Sequence, residues 1–289
     1  MKKSKFLPIT IVIPTLGEKE LDKCLKKISL GTKYPREVLL VIPKENVKLA
    51  RNYIIFYKKI NTKIVISNKK NQVYQRILGF KKAKNNYVFQ LDGDVYLEKS
   101  CLEILYNFIK SREKIAVAPR YVNKENLSNI YKFPSSNILR LYHWLINSNY
   151  GYSPGKISLS GFNYSDENKT KGFSQNDWLS GGAVMHKKKN LILKNYYPYK
   201  FKKKFCEDIL HSLILRKKNI NLVKLYEAKA SSRQSGVITS QNFLLVSKDF
   251  ICEFLIRRYI VKSFNLSQIR LFIYYLILIL RIIYKKIKW

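Results

Sequence analysis

The chain has little of what staples or anchors a protein covalently. Four cysteines, Cys24, Cys101, Cys206 and Cys252, are scattered through 289 residues with no CxxC pair. That spacing excludes a disulfide framework and a zinc site, and it fits a reducing compartment. Only three histidines are present: His143, His186 and His211. No long hydrophobic run exists either. The longest charge-free apolar stretch, 271–280, has ten residues, short of the roughly 18–20 that a spanning helix needs. The basic start leads into an apolar run bracketed by Pro8 and Pro14, and no small-residue cleavage site follows. It reads as a buried first strand rather than a secretory leader.

Acidic residues are the other scarcity. Nineteen Asp and Glu face 55 Lys and Arg, a net charge of +36. Such an excess points to a polyanionic partner, either an anionic membrane surface, phosphorylated substrates or nucleic acid. It also fits compositional drift, because Lys, Asn, Ile and Tyr are all abundant. The lysines are spread evenly, and no zinc finger, RNA-recognition signature or basic zipper is visible, so no specific nucleic-acid partner is expected. Hydrophobic residues make up 46% and charged residues 26%, which excludes wholesale disorder and collagen-like classes.

What is present alternates. LPITIVIP (7–14) is an apolar, β-branched run, as a strand buried on both faces requires. Residues 18–30 place Leu21, Leu25 and Ile28 at helical spacing. EVLLVI, KIVIS and YVFQL read as further strands, with a helix over 72–83 before the last. Strand and helix in alternation predict an α/β, mostly parallel sheet flanked by helices. A helix over 101–109 and the strand IAVAP continue the pattern. Residues 121–171 lose it, and their Gly, Ser, Asn and Tyr content predicts a long loop or lid. WLSGGAVMH (178–186) is strand-like after its glycines, 206–217 is helical, and INLVKL is a late strand. SSRQSG (231–236) interrupts the pattern and predicts a boundary. The expected organisation is a domain over 1–230, with halves 1–118 and 119–230, and a basic helical extension over 231–289.

The central motif is QLDGDVYL, with Asp92 and Asp94 directly after an apolar strand. Ligands of open α/β sheets sit beyond the carboxyl ends of strands. Two carboxylates there suit a hard cation, Mn2+ or Mg2+, shared with substrate phosphates. Gly93 between them permits close backbone approach. A plain Asp-Gly turn is the other reading. Glu207 and Asp208 form a second acidic pair, which helix-terminus electrostatics alone would also explain.

These segments resemble, in order, the nucleotide-sugar half of family 2 glycosyltransferases, which have the GT-A (Rossmann-like) fold. The resemblance runs from ITIVIPTLG through EVLLVI and QRILGFKKA to the DxD-like LDGD, then to WLSGGAVMHKKK and FCEDILHSLILRKKNINL, over about residues 7–226. It implies an inverting, metal-dependent transfer of a sugar from a nucleotide-diphosphate sugar. Asp94 and Asp92 would hold the metal. Thr15, Glu18, Arg76, Asp92, Gly93 and Asp94 would bind the donor, with Arg76 on the diphosphate. Asp208 would be the general base and Glu207 its partner. Trp178, Gly181, Gly182 and His211 would border the acceptor. From its place at the end of WLSGGAVMH, His186 would face the metal or donor, although a lone histidine is more often a structural group. The chain departs from the family at IPKEN, where many members have an Asp-rich turn, and at Leu210, where many have a further acid.

The last segment, LSQIRLFIYYLILILRIIYKKIKW, reads as an amphipathic helix with Ser267 as N-cap. Arg270, Arg281, Lys285 and Lys288 fall on one side, and Arg257, Arg258 and Lys262 precede them. Such a helix suits an anionic membrane interface. The expected acceptor is a glycan or lipid-linked sugar, used in polysaccharide or lipopolysaccharide synthesis by a cytoplasmic protein on the inner membrane face. A nucleotidyltransferase and a non-enzymatic basic membrane- or nucleic-acid-binding protein are the alternatives. The former would need a Gly-rich basic loop, and IPTLGEKEL has one glycine.

Overall fold

The computed structural model describes residues 4–122, 134–166, 169–201, 204–232 and 243–287. The chain divides into two compact units built from interleaved segments. The first holds Met1–Glu125, Glu167–Pro198 and Glu207–Gln234; the second holds Asn126–Asp166, Tyr199–Cys206 and Ser235–Trp289.

Unit one begins with β1 (Phe6–Pro14), α1 (Glu20–Ser29), β2 (Tyr34–Pro43), α2 (Val47–Ile54), β3 (Thr62–Ser67), α3 (Gln72–Lys82) and β4 (Tyr87–Leu91). The short β5 (Val95–Leu97), α4 (Cys101–Ile109) and β6 (Ile115–Tyr121) follow. After the excursion into unit two come β7 (Phe173–Asn176), β8 (Ala183–Lys187), α6 (Glu207–Lys217) and β9 (Asn221–Ser232). They form one sheet in the order β3-β2-β1-β4-β8-β6-β9-β5, with β7 on β9. The β3-β2-β1-β4 block is parallel, β6 pairs β9 in parallel, and β5, β7 and β8 run against their neighbours.

The strand runs bury both faces. Ile9, Ile11 and Ile13 of β1 join α1 and α4 in the main core. Val12 points the other way, toward Phe80 of α3. That alternation is the pleat expressed as two hydrophobic layers. Gly79 sets how close α3 can lie. A Cβ there would meet Val12 Cγ1 well inside contact distance and Val41 Cγ2 at 2.9 Å. Asn71 starts α3 by accepting a hydrogen bond from the Tyr74 amide at 3.0 Å.

Unit two contains α5 (Asn137–Asn147), α7 (Phe243–Ser263) and α8 (Gln268–Ile287). Val261, Leu271 and Tyr275 form its core, with Phe162, Phe250 and Phe254 packed on them. Arg257 is buried; its Nη1 donates to the Gly161 carbonyl at 2.7 Å and its other nitrogens reach Glu253. α5 corrects the expectation of a long loop over 121–171. Of its apolar side chains Ile138, Leu139, Leu141 and Trp144 are exposed and Ile146 is buried; the loop expectation followed the Gly-, Ser- and Asn-rich composition of 147–171 rather than the short helix before it. α2 was also unforeseen. Residues 123–133 of the expected lid, and most of the boundary at 231–236, lie outside the described residues.

The Gly79 contact gives a direct test. Gly79→Ala forces α3 off the sheet, and we expect a loss of about 1–3 kcal/mol in urea unfolding, with the denaturant slope unchanged.

Candidate functional site

α3 presents Gln72, Gln75 and Arg76 at i, i+3 and i+4, one polar edge on an otherwise apolar helix. Gln75 Nε2 donates to the carbonyls of Thr15 at 3.0 Å and Val41 at 2.7 Å. It thereby ties the carboxyl ends of β1 and β2. Thr15 Oγ1 donates to Glu18 Oε2 at 3.1 Å and accepts from the Gly17 amide at 2.9 Å. Gly17 turns the chain with φ +82°, a region open to glycine.

Arg76 is the centre. Its side chain is 1% exposed, with Nη1 donating to Glu207 Oε1 at 2.6 Å and Nη2 to Asp92 Oδ1 at 3.1 Å. Gln72 Nε2 donates to Asp92 Oδ2 at 3.2 Å. The Tyr196 hydroxyl donates to Glu207 Oε1. Burial works against the Arg76 charge, but the Glu207 and Asp92 carboxylates outweigh it and hold its pKa above the usual value. Burial raises the Asp92 pKa, Glu207 and Asp94 push the same way, and Arg76 opposes them. Tyr196 is pushed well up, first by burial and then by Glu207.

The 179–182 loop closes over these groups. The Asp92 amide donates to the Gly182 carbonyl at 2.8 Å, and Gln90 Nε2 donates to the Gly181 carbonyl. A Cβ on Gly181 would approach Glu207 Oε2 at 3.2 Å and Asp208 Cβ at 3.3 Å. One on Gly182 would meet the Tyr121 hydroxyl at 2.7 Å. A Cβ on Gly93 would lie 3.5 Å from Thr15 Oγ1. A side chain at either loop position would have to displace Glu207, Asp208 or Tyr121.

The structure thus gathers Thr15, Glu18, Arg76, Asp92, Gly93, Glu207, Asp208, Gly181 and Gly182 around the ends of β1 and β4. Asp94 is exposed at the same turn. Glu207 is buried by its two partners, whereas Asp208 keeps partial exposure while its Oδ1 accepts from the Ile209 amide at 2.9 Å. Arg76 has both terminal nitrogens, Nη1 and Nη2, on carboxylates, and its Nε is buried, so a diphosphate contact through the terminal nitrogens would compete with the carboxylates. Trp178 is half-buried beside Asp177, which pairs with Arg216 at 3.2 Å.

Two histidines take the structural rather than the ligand reading. His186 is 0% exposed and packs on Phe80 and His211. Its place on β8 aims it into the layer under the site, so it does not face a donor. His211 is likewise buried against Tyr196 and His186 rather than bordering an acceptor. Burial lowers the His186 pKa well below normal and takes His211 down to about 3, with Arg76 adding to both. Tyr196, Gln72 and Gln75 were not foreseen. The i, i+3, i+4 polar edge of α3 is the signal that would have found the two glutamines.

Among the described residues no three His, Cys, Asp or Glu side chains converge as a metal site. Two carboxylates at one turn fit an ion that completes its shell from substrate phosphates and water. Asp92 has both oxygens hydrogen-bonded, and Asp94 is the more exposed of the two.

The fold is the GT-A fold of glycosyltransferases. A structure of GalNAc-T7 with UDP, GalNAc and Mn2+ superposes with a TM-score of 0.58 at 15% identity, over 81% of this chain and 45% of that one. S. aureus TarS in complex with UDP-GlcNAc gives 0.51 at 17% identity, over 86% and 67%. The chain therefore spans less than half of the GalNAc-T7 chain. Residues 10–168, more than half of the sequence, match the model of glycosyl transferase family 2, and the chain belongs to that family. No curated protein sequence matches it. Membership sets aside both the nucleotidyltransferase and the non-enzymatic readings.

Two outcomes follow. Arg76→Met leaves Glu207 buried without its cation, and should cost about 3–5 kcal/mol in thermal or urea unfolding. Acid should also weaken the fold. Below about pH 6.5 the unfolded chain protonates histidines that the folded chain keeps neutral. His211 stays neutral down to about 3, so stability is full above pH 6.5 and falls toward lower pH. By pH 5 His211 alone should remove about 2 kcal/mol, and His211→Phe should flatten the pH dependence of the melting temperature over that window.

Proposed function

We propose that the chain is a metal-dependent, inverting glycosyltransferase. It moves a sugar from a nucleotide-diphosphate sugar to a hydroxyl of a glycan or lipid-linked acceptor. The observation that carries this reading is the braced Asp92 next to the exposed Asp94, at the carboxyl end of β4 where α/β sheets bind ligands.

Asp94 and Asp92 would hold a Mn2+ or Mg2+ ion, which when bound neutralises charge on a departing diphosphate. Thr15, Glu18 and Gly93 line the donor side of the same strand ends. Glu207 is committed to Arg76 and Tyr196. Asp208, the more exposed acid of the pair, takes the proton of the acceptor hydroxyl as that oxygen attacks the anomeric carbon. Attack from the side opposite the leaving diphosphate inverts the centre. Gly181, Gly182 and Trp178 border the acceptor side.

The basic surplus and the cationic C-terminal helix support a place at the inner face of the cell membrane, in polysaccharide or lipopolysaccharide synthesis. Among the described residues no helix is long and apolar enough to cross a membrane.

A donor screen tests the reading. UDP, GDP, dTDP and CMP sugars are scanned by thermal shift with and without Mn2+. We expect one nucleotide class to raise the melting temperature with metal through mass action, and Asp94→Asn to abolish the shift. Asp208→Asn should keep the shift and lower kcat about 10²–10⁴-fold. Full turnover by Asp208→Asn would refute the assignment of the base.

A further inference from the structure

α8 exposes six large apolar side chains: Ile269, Phe272, Leu276, Ile279, Leu280 and Ile283, each 41–74% exposed. At about 100° per residue they fall within an arc of about 100°. Leu271 and Tyr275, on the adjoining arc, are buried in the core of unit two. α8 therefore has two apolar faces, and the protein's own core covers one of them.

α5 carries exposed apolar side chains of its own. Ile138, Leu141 and Trp144 are exposed at i, i+3 and i+6. Arg270 Nη1 bonds the Trp144 carbonyl and, at 2.7 Å, the Leu145 carbonyl, while its guanidinium lies over the Trp144 ring. The last turn of α5 is thereby fixed to the first turn of α8. Nine exposed apolar side chains on two joined helices exceed what soluble surfaces normally leave bare.

The charge of the segment selects the occupant. The final 36 residues carry eight Lys and Arg and no Asp or Glu. A second copy would bring that cationic segment against itself, which like-charge repulsion opposes. Nucleic acid would answer the charge and leave the apolar stripe in water. An anionic bilayer answers both, taking the stripe among its acyl chains and the cations at its headgroups.

We propose that α5 and α8 together form a docking face for the interfacial zone of an anionic membrane, with the helices lying on the bilayer. This deepens the membrane placement given under the proposed function and rests on it. It also reassigns the basic residues. Arg257 and Arg270 are spent inside unit two, on Glu253, Gly161 and the end of α5. Arg258 and Lys262 remain exposed. Lys288 and the side chains of Arg281 and Lys285 lie outside the described residues.

The full chain is floated with vesicles of phosphatidylcholine alone, or of phosphatidylcholine and phosphatidylglycerol in equal parts. We expect binding to the mixed vesicles roughly tenfold or more tighter than to phosphatidylcholine. Leu276→Ser with Leu280→Ser should weaken it by about tenfold or more with the melting temperature unchanged, since both positions are exposed. Leu141→Ser should weaken it as well. Wild-type flotation by the double variant or by Leu141→Ser, or no flotation of the wild type, overturns the two-helix face. So does concentration-dependent dimerisation without lipid that the double variant abolishes. Donor binding, followed by calorimetry without vesicles, should be equal in all forms. Its absence would count against the transferase reading and leave the docking test intact.

Discussion

A guanidinium that is 1% exposed cannot remain charged without close anions, and Arg76 has two. Glu207 is 131 positions away along the chain and Asp92 only 16. One side chain thus joins the turn after β4 to the first turn of α6. Removing Arg76 strips both carboxylates of their cation, and removing either carboxylate halves the compensation of the buried guanidinium, so the three positions hold each other in place. Everything else at the site is arranged around that bond. Gln72 takes the second oxygen of Asp92, Tyr196 takes Glu207, and Gly181 leaves the room in which α6 approaches the loop.

The same bond explains the electrostatics. Four carboxylates, Asp92, Asp94, Glu207 and Asp208, gather near one arginine, in a protein whose net charge is +36. The raised pKa of Asp92 reports that local excess of negative charge beside its burial. Such a spot favours a small cation. Charge of both signs is thus useful within one pocket, provided that the acids are held apart by a fixed cation.

Much of the fold was legible because buried parallel strands are nearly pure apolar runs. β1, β2 and β4 stand where LPITIVIP, EVLLVI and YVFQL placed them, and α1, α3, α4 and α6 follow the periodicity. α5 was missed because it heads a stretch rich in Gly, Ser, Asn and Tyr, whose composition reads as loop. At the site, Asp92 and Asp94 were legible from their place after a strand, and Glu207 and Asp208 only through the family resemblance. Their partners were not, because nothing in a sequence says that Arg76 meets Glu207. His186 and His211 were open to two readings for a related reason. A histidine at a strand end looks like a ligand, but the pleat turns His186 inward, and α6 turns His211 toward it.

The basic residues of unit two show the limit of charge counted on a helical wheel. A wheel treats Arg257, Arg258 and Arg270 alike. In the structure Arg257 bonds Glu253 one turn earlier and the Gly161 carbonyl, while Arg270 closes the end of α5 on two carbonyls. Both stack on aromatic rings, Phe162 and Trp144. A planar guanidinium can do this because its several donors lie in one plane and its faces are weakly hydrated; an ammonium group cannot. The arginines inside are therefore structural, as Arg76 is in unit one. The polyanion-directed part of the net charge falls to exposed cations such as Arg258 and Lys262. Attraction to an anionic surface can then change with salt while the fold beneath it does not, because buried pairs are screened far less than exposed ones.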